Sequence, residues 1–329
     1  MLELLKKVLK PVAPSGLEEP VAAVIREEVA PYVDSIETDA LGNLICVKNG
    51  TEANPEKIML SAHMDHIGYI VTGIEKEGFL RVTNVGGISP TMSLTRHVSF
   101  PNGVQGVVVS EVSKDTAMKD LFVDIGAQDK ADAETMVRVG DVCVYANDCF
   151  QLGANRVASP AMDDRAACAL LIRFLQTVGA TKQTIIAVFS VQEEVGCRGA
   201  KGAAFQQEPD IGIVLEGTTC NDLGDVPETA HVCEAGQGVA VSFMDGASIA
   251  NRALFRKALD VAKQENIPHQ VKHSVSGGND GGAIQRAREG VPVVVLSVPC
   301  RYIHSPSSVV KLSDVESQFA LVKALVKAL

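Results

Sequence analysis

The sequence has no tryptophan, few aromatic residues and a deficit of basic side chains. Its 30 Lys and Arg residues stand against 40 Asp and Glu residues, which gives a formal net charge of −10. An acidic protein repels nucleic acid and anionic membranes at long range. The longest apolar run near the end, Val291–Val298, is far shorter than the roughly 20 residues of a membrane-spanning helix. We therefore expect neither a nucleic-acid-binding protein nor a membrane protein.

The eight cysteines are scattered, and no C-x-x-C spacing occurs among them. This pattern predicts neither a thiolate zinc site nor a disulfide framework, and buried free thiols are its ordinary interpretation. Lysines interrupt the apolar residues of the opening stretch M-L-E-L-L-K-K-V-L-K, which favours an amphipathic helix over a signal peptide. We expect a reduced, cytoplasmic protein.

Apolar runs typical of buried strands alternate with helical patterns over most of the chain. The clearest runs are Lys57–Ala62, Thr184–Val191, Ile211–Leu215 and Val291–Val298. This alternation predicts an α/β fold with a mostly parallel, helix-covered sheet.

Residues 68–156 differ, because glycines separate short β-rich runs such as 104–112. These runs predict an inserted small β-barrel or sandwich, which leaves 1–67 and 157–329 as the catalytic domain.

Each of five strand ends or turns presents a histidine or a carboxylate. These residues are His63 and Asp65, Asp163 and Asp164, Glu193 and Glu194, Glu216, and His304. Ligands of open α/β sheets collect at the carboxyl ends of the strands. A nitrogen and oxygen ligand set without thiolates suits zinc, cobalt or manganese, and its size exceeds the needs of one tetrahedral zinc. Two metal ions that share a bridging carboxylate are the economical interpretation.

The adjacent Glu193 and Glu194 are the most informative pair. Two anions at the end of a buried strand repel each other unless cations offset them. The alternative is that the strand simply ends there and both glutamates are solvated.

The chain resembles the M42 metallo-aminopeptidases, which belong to the co-catalytic zinc exopeptidases. The matching stretches occur in the family's order and are A-P-S-G-L-E, D-A-L-G-N-L, A-H-M-D, M-D-D-R, Q-E-E-V-G-C-R-G-A, L-E-G-T-T, S-G-G-N-D-G and I-H-S-P. The 68–156 insert falls where that family carries its β-rich dimerisation domain.

The resemblance implies two divalent metal ions per subunit, zinc foremost, with cobalt or manganese as alternatives. His63 and Glu216 would hold one ion, Glu194 and His304 would hold the other, and Asp163 would bridge both.

The resemblance also implies catalytic roles for Glu193 and Asp65. Glu193 would be the general base that acts on a metal-activated water, and Asp65 would accept the second ring N–H of His63. A cis peptide bond is expected at Asp163–Asp164. The implied function is removal of the N-terminal residue from short peptides, by a homo-oligomer with dimers through 68–156 and a dodecameric assembly.

The sequence allows two roles for His66 and two for Asp280. His66 replaces the glutamate of many family members and would lie behind the ligands or at the surface. Asp280 would orient the substrate or the site, or would cap the following helix. Ser15 with Glu18 fits a capping box, and we expect these residues only to start a helix.

Two other enzyme functions also fit the paired carboxylates and the metal ligands. One is a di-metal deacylase or amidohydrolase that acts on small amides, and the other is an endoglucanase-like glycoside hydrolase. A binding protein with a vestigial site is disfavoured by the complete ligand set.

Overall fold

The computed structural model describes residues 1–111, 115–146 and 149–329. The α-helices are α1 (Leu2–Leu9), α2 (Glu19–Val29), α3 (Pro90–Ser93), α4 (Lys130–Met136), α5 (Met162–Thr177), α6 (Arg198–Gln207), α7 (Arg252–Gln264), α8 (Asp280–Gln285) and α9 (Leu312–Ala328). The strands are β1 (Ser35–Thr38), β2 (Leu44–Lys48), β3 (Lys57–His63), β4 (Gly68–Ile74), β5 (Leu80–Val85), β6 (His97–Ser99), β7 (Gln105–Ser110), β8 (Leu121–Asp124), β9 (Val142–Tyr145), β10 (Phe150–Leu152), β11 (Arg156–Ser159), β12 (Thr184–Ser190), β13 (Ile211–Thr219), β14 (Val239–Ser242), β15 (His269–Val271), β16 (Val293–Arg301) and β17 (Ser308–Lys311). The last residue of the strand predicted over 104–112 lies outside the described residues.

Eleven strands of the described residues form the larger sheet, in the order β1-β2-β12-β3-β13-β16-β17-β11-β10, with β14 beside β16 and β15 beside β14. The four central strands β12, β3, β13 and β16 are parallel to one another. The flanking pairs β2–β12 and β16–β17 are antiparallel, which makes the sheet mixed as a whole. The predicted α/β class, with a parallel centre and an inserted barrel, is confirmed.

The sheet is covered by helices on both faces, which explains why its central strands are continuous apolar runs. Successive residues of β3 point to opposite faces. Ile58 and Leu60 pack into one core with α1, α5 and α9, whereas Met59 packs into a second core with α6 and α8. The central strands are therefore fixed in register from both sides.

The insert forms a closed barrel of β4, β5, β8, β7, β6 and β9. Its own apolar core is separate from the two cores of the sheet, and Tyr69 and Tyr145 lie within it. Their hydroxyl groups are 2.9 Å apart, and the Tyr69 hydroxyl donates to Ser93 Oγ at 2.6 Å. The barrel strands span 68–145, and β10 already pairs within the larger sheet. The domain boundary at 156 stays a prediction.

In the described residues, no helix is both long and apolar enough to cross a membrane.

Candidate metal centre and active site

The predicted site residues meet where the central strands end. β3 and β12 pair in parallel with His63 opposite Ser190, so the segments that follow them leave the sheet side by side. The glutamate pair comes three residues after Ser190. Glu216 lies in the neighbouring strand β13, and His304 follows β16. The strand order therefore brings side chains from distant parts of the sequence into one cluster.

Among the described residues, four groups of three side chains could hold a metal ion, one of them His63 with Glu193 and Glu194, and two of the four share Asp163. In the first group, His63 Nε2 lies 3.6 Å from Asp163 Oδ1 and 3.7 Å from Glu216 Oε2. In the second, His304 Nε2 lies 3.3 Å from Asp163 Oδ2 and 3.2 Å from Glu194 Oε1. Within each group, one ligand atom of every residue lies within 4.8 Å of the others. The five predicted metal ligands are thus brought together, and their roles stay a prediction.

The chemistry of these side chains fits divalent metal ions. Asp163 Oδ1 and Glu216 Oε1 are buried and have no hydrogen-bond partner among the described residues. A buried carboxylate oxygen without a partner is costly, and native proteins rarely leave one unexplained. Imidazole nitrogens and carboxylate oxygens without thiolates are the donors that zinc, cobalt and manganese accept.

Burial and neighbouring charges shift the pKa values of the cluster in different directions. Burial raises the pKa of Glu216 well above its usual value, and His63 opposes this only in part. Burial alone would lower the pKa of His63, but the neighbouring carboxylates, first that of Asp163, raise it well above the usual value. Burial raises the pKa of Glu193 to about 8, although the charge of the nearby His63 acts to lower it. Without metal, the cluster therefore holds protons that ligation would displace.

Asp65 connects the two strand ends. Its Oδ1 accepts from the backbone N–H of Glu193 at 3.0 Å, and its Oδ2 accepts from that of Glu194 at 3.2 Å. His63 Nδ1 lies 3.0 Å from the Asp65 carbonyl oxygen and 3.4 Å from Oδ1. One buried carboxylate thus positions a predicted ligand and the predicted base at the same time.

Ser15 and Glu18 also belong to this network, so the expectation that they only start a helix is wrong. Helix α2 begins at Glu19 without a side-chain cap. Ser15 Oγ donates to Asp65 Oδ2 at 2.6 Å, and Glu18 Oε1 accepts from the backbone N–H of Gln192 at 3.1 Å. The segment A-P-S-G-L-E therefore forms hydrogen bonds with both loops that follow β3 and β12.

Arg165, in the M-D-D-R stretch, is fully buried and donates to backbone carbonyls rather than to a carboxylate. Its Nε bonds Met64 O at 2.6 Å, and its Nη atoms bond Val8 O at 2.7 Å and Ala13 O at 3.0 Å. Because α5 carries both Asp163 and Arg165, the helix that positions a predicted ligand also anchors the N-terminal segment.

His66 is buried, so the surface interpretation of this residue is wrong. Neither of its ring nitrogens has a hydrogen-bond partner among the described residues, and burial lowers its pKa well below the usual value. His66 stands in neither of the two groups that share Asp163.

Asp280 is not a helix cap, because Asn279 caps α8 by accepting from the backbone N–H of Gly281. Asp280 is buried and accepts from Ser190 Oγ at 2.5 Å. Together with Cys197 it lies beside Glu193, and Cys197 Sγ donates to Glu193 Oε1 at 3.4 Å. No sequence pattern singled out Cys197 from the other thiols.

The backbone makes room for the cluster at particular points. The Asp163–Asp164 peptide bond is cis, as expected. A Cβ at Gly217 would lie 2.8 Å from Asp163 Oδ1, so a larger residue would have to displace that carboxylate. A Cβ at Gly87 would lie 3.0 Å from His304 Nδ1, which shows that the barrel's β5–α3 loop reaches the site.

The sequence profile of the M42 glutamyl aminopeptidase family matches residues 42–321. A protein of Acetivibrio thermocellus, named provisionally as an aminopeptidase, is 40% identical over 335 residues that cover 100% of this chain and 98% of its own. A lysyl aminopeptidase of Pyrococcus furiosus is 34% identical, with 99% of this chain and 97% of its own covered.

Solved structures agree with these relatives. An aminopeptidase of the archaeon Desulfurococcus kamchatkensis superposes with a TM-score of 0.96 at 33% identity, covering 99% of this chain and 94% of its own. The TET1 peptidase of Pyrococcus horikoshii, described as assembling into a tetrahedron or a large octahedral shell, gives 0.88 at 32%, with 100% and 99% covered. A Thermotoga maritima structure titled endoglucanase gives 0.84 at 31%, with 98% and 96% covered. The chain therefore belongs to the M42 glutamyl aminopeptidase family of hydrolases, as the resemblance in its sequence implied.

Proposed function

We propose that this protein is a di-metal aminopeptidase that removes the N-terminal residue of short peptides. His63 and Glu216 would hold one ion, Glu194 and His304 would hold the second, and Asp163 would bridge them. One observation carries this assignment. The two oxygens of Asp163 face different histidines, with Oδ1 3.6 Å from His63 Nε2 and Oδ2 3.3 Å from His304 Nε2.

A bound pair of divalent ions supplies Lewis acidity, which lowers the pKa of a water from about 15.7 toward about 7 and stabilises a developing oxyanion. Glu193 takes a proton from the attacking water and delivers it to the leaving amine. Without metal, burial raises the pKa of Glu193 to about 8, and nearby divalent cations would lower it, which would leave the carboxylate free to accept the proton. Asp65 supports the base through the backbone N–H of Glu193 and holds the ring of His63.

The negative cluster also favours aminopeptidase over endopeptidase action. A free N-terminal amine is protonated in water, and a site rich in carboxylates attracts it electrostatically. A blocked or internal peptide bond offers no such charge.

We further propose that the 68–156 insert dimerises the protein within a dodecameric homo-oligomer. The barrel exposes Val107, Met92 and Val139 at 41%, 41% and 62%, and exposed apolar side chains are typical of interaction surfaces. The assembly described for the Pyrococcus horikoshii peptidase supports a large particle here. A cytoplasmic location is consistent with the eight cysteines, none of which forms a disulfide.

The function is tested by chelating the purified protein and restoring zinc, cobalt or manganese in turn. Each form is assayed with aminoacyl p-nitroanilides, N-acyl amino acids and soluble cellulose. We expect metal-dependent hydrolysis of the unblocked anilides only. Preferred cleavage of N-acyl amino acids would indicate the deacylase, and cellulose hydrolysis that survives chelation would indicate the glycoside hydrolase.

A further inference from the structure

One of the four groups of potential metal ligands differs from the others, because it contains a thiol. It consists of Glu193, Cys197 and Asp280, and one ligand atom of each residue lies within 4.8 Å of the others. Among the described residues, no lysine or arginine forms an ion pair with either carboxylate of this group. Three side chains that are anionic when deprotonated therefore converge without a cation.

A tight turn brings the thiol back to the proposed base. The backbone N–H groups of Gly196 and Cys197 both donate to the carbonyl oxygen of Glu193 at 2.9 Å. Gly196 has a φ of +117°, a conformation that favours glycine. Cys197 Sγ then donates to Glu193 Oε1 at 3.4 Å, whereas Glu193 Oε2 lies 4.0 Å from His63 Nε2. The two oxygens of Glu193 thus face different sides, one the thiol and the other the predicted metal cluster.

Asp280 is the most deeply buried member of the group, at 1% exposed. Its Oδ2 accepts from Ser190 Oγ at 2.5 Å, but its Oδ1 is buried and has no hydrogen-bond partner among the described residues. A buried carboxylate oxygen without a partner is costly, and the hydrogen bond between Cys197 and Glu193 does not satisfy it. Cys197 is partly exposed, so a ligand can reach the group from solvent.

The chemistry of the three side chains fits a thiophilic divalent ion such as zinc or cobalt. One thiolate, two carboxylates and a water would complete the four-coordinate geometry that zinc prefers. Manganese and magnesium prefer sites made of oxygen ligands alone, so the thiol selects against them. When the ion binds, the thiol releases its proton to solvent and a bond forms between sulfur and the metal.

We propose that Glu193, Cys197 and Asp280 form a site for an additional zinc or cobalt ion, which inhibits the enzyme by occupying its general base. This inference rests on the aminopeptidase function proposed above. A Glu193 carboxylate that holds this ion cannot take the proton of the attacking water. The two ions of the cluster repel a third cation nearby, so the additional site fills only when metal is in excess. Dialysis consequently removes the third ion first and leaves the cluster loaded.

The test titrates the metal-depleted protein with cobalt and follows absorption and activity in the same samples. Cobalt bound to a thiolate has a charge-transfer band in the near ultraviolet, which cobalt bound only to nitrogen and oxygen lacks. The five predicted ligands of the cluster include no thiol, so the first ions should activate hydrolysis of an aminoacyl p-nitroanilide without producing this band. Further cobalt should produce the band, and activity should fall as the band grows. The same excess of manganese should not inhibit.

Cys197→Ser should abolish the band and raise the cobalt concentration for half-maximal inhibition by about 10-fold or more. The loss of a group that only supports a ligand already lowers metal affinity about 10- to 100-fold, and a direct ligand should contribute no less. Each variant is compared with its own maximal activity. Cys149→Ser, which changes another partly exposed thiol, is the matched control and should keep both the band and the inhibition. Circular dichroism checks the fold, and Cys197→Ala replaces Cys197→Ser if the latter does not fold.

The absence of the charge-transfer band at every excess of cobalt would overturn the inference and leave the aminopeptidase function intact. A Cys197→Ser variant that keeps the band and the half-inhibition of the wild type would do the same. A wild type that shows the band but cleaves no anilide with any metal would overturn the aminopeptidase function, and the inhibitory role of the site with it.

Discussion

Replacing Glu193 by glutamine tests the division of labour between the two adjacent glutamates. The amide cannot accept the proton of the attacking water, whereas its size and shape match those of the carboxylate. Asp65 still holds the backbone N–H of residue 193, and the Cys197 thiol can still donate to the amide oxygen. The substitution therefore removes the base and leaves its position unchanged.

A positioned general base contributes about 10²- to 10⁴-fold to the rate, which corresponds to about 3–5 kcal/mol of activation free energy. We expect kcat of Glu193→Gln to fall by that factor, with KM changed only a few-fold. The metal content should equal that of the wild type, because Glu194 and not Glu193 is the proposed ligand.

The assay measures steady-state kinetics on an aminoacyl anilide together with metal content by mass spectrometry of the same samples. Glu289→Gln, which changes an exposed glutamate, is the matched control and should behave as the wild type. Near-normal kcat in Glu193→Gln, or the loss of both ions, would refute the assignment of the base.

The remaining predictions concern the ligands and their support. His304→Ala should lose bound metal, since it removes one of only two imidazoles in the cluster; wild-type metal content after dialysis would contradict this. Metal binding should release protons, because the metal-free protein has raised pKa values at His63 and Glu216 and ligation needs both groups deprotonated. The affinity for the metal should consequently fall as the pH is lowered. The heat of metal binding, measured by calorimetry, should depend on the ionisation enthalpy of the buffer. Equal heats in different buffers would contradict proton release. Arg165→Met should lower the free energy of unfolding by about 3 kcal/mol or more, because several buried carbonyl oxygens lose their donor; an unchanged urea midpoint would show that these bonds contribute little.

The central strands and the residues at their ends could be predicted from the sequence. Runs such as 184–191 are apolar throughout because both faces of the sheet are covered, and such runs are visible without any knowledge of partners. The short strands β6, β10 and β17 were not predicted. Each has three or four residues, and its pairing depends on neighbours far away in the sequence.

Long-range contacts explain the other differences. The spacing of Ser15 and Glu18 satisfies a local capping rule, yet their partners are Asp65 and Gln192. A local pattern cannot reveal a contact that spans 174 positions. The burial of Lys272 is likewise a property of the folded chain alone.

The strand order also constrains how the chain can fold during synthesis. β12 lies between β2 and β3, which are neighbours in the sequence but do not pair with each other. β2 can pair early with β1, whereas both partners of β3 are later strands, so β3 stays unpaired until the ribosome has made the barrel, α5 and β12. The barrel strands, in contrast, pair only among themselves within the described residues, and the pairs β4–β5, β6–β7 and β7–β8 join strands that are close in the sequence. We expect the insert to fold first, while the larger sheet cannot form before its central strand β12 has been synthesised. The active site, which needs β16 and His304, is completed last.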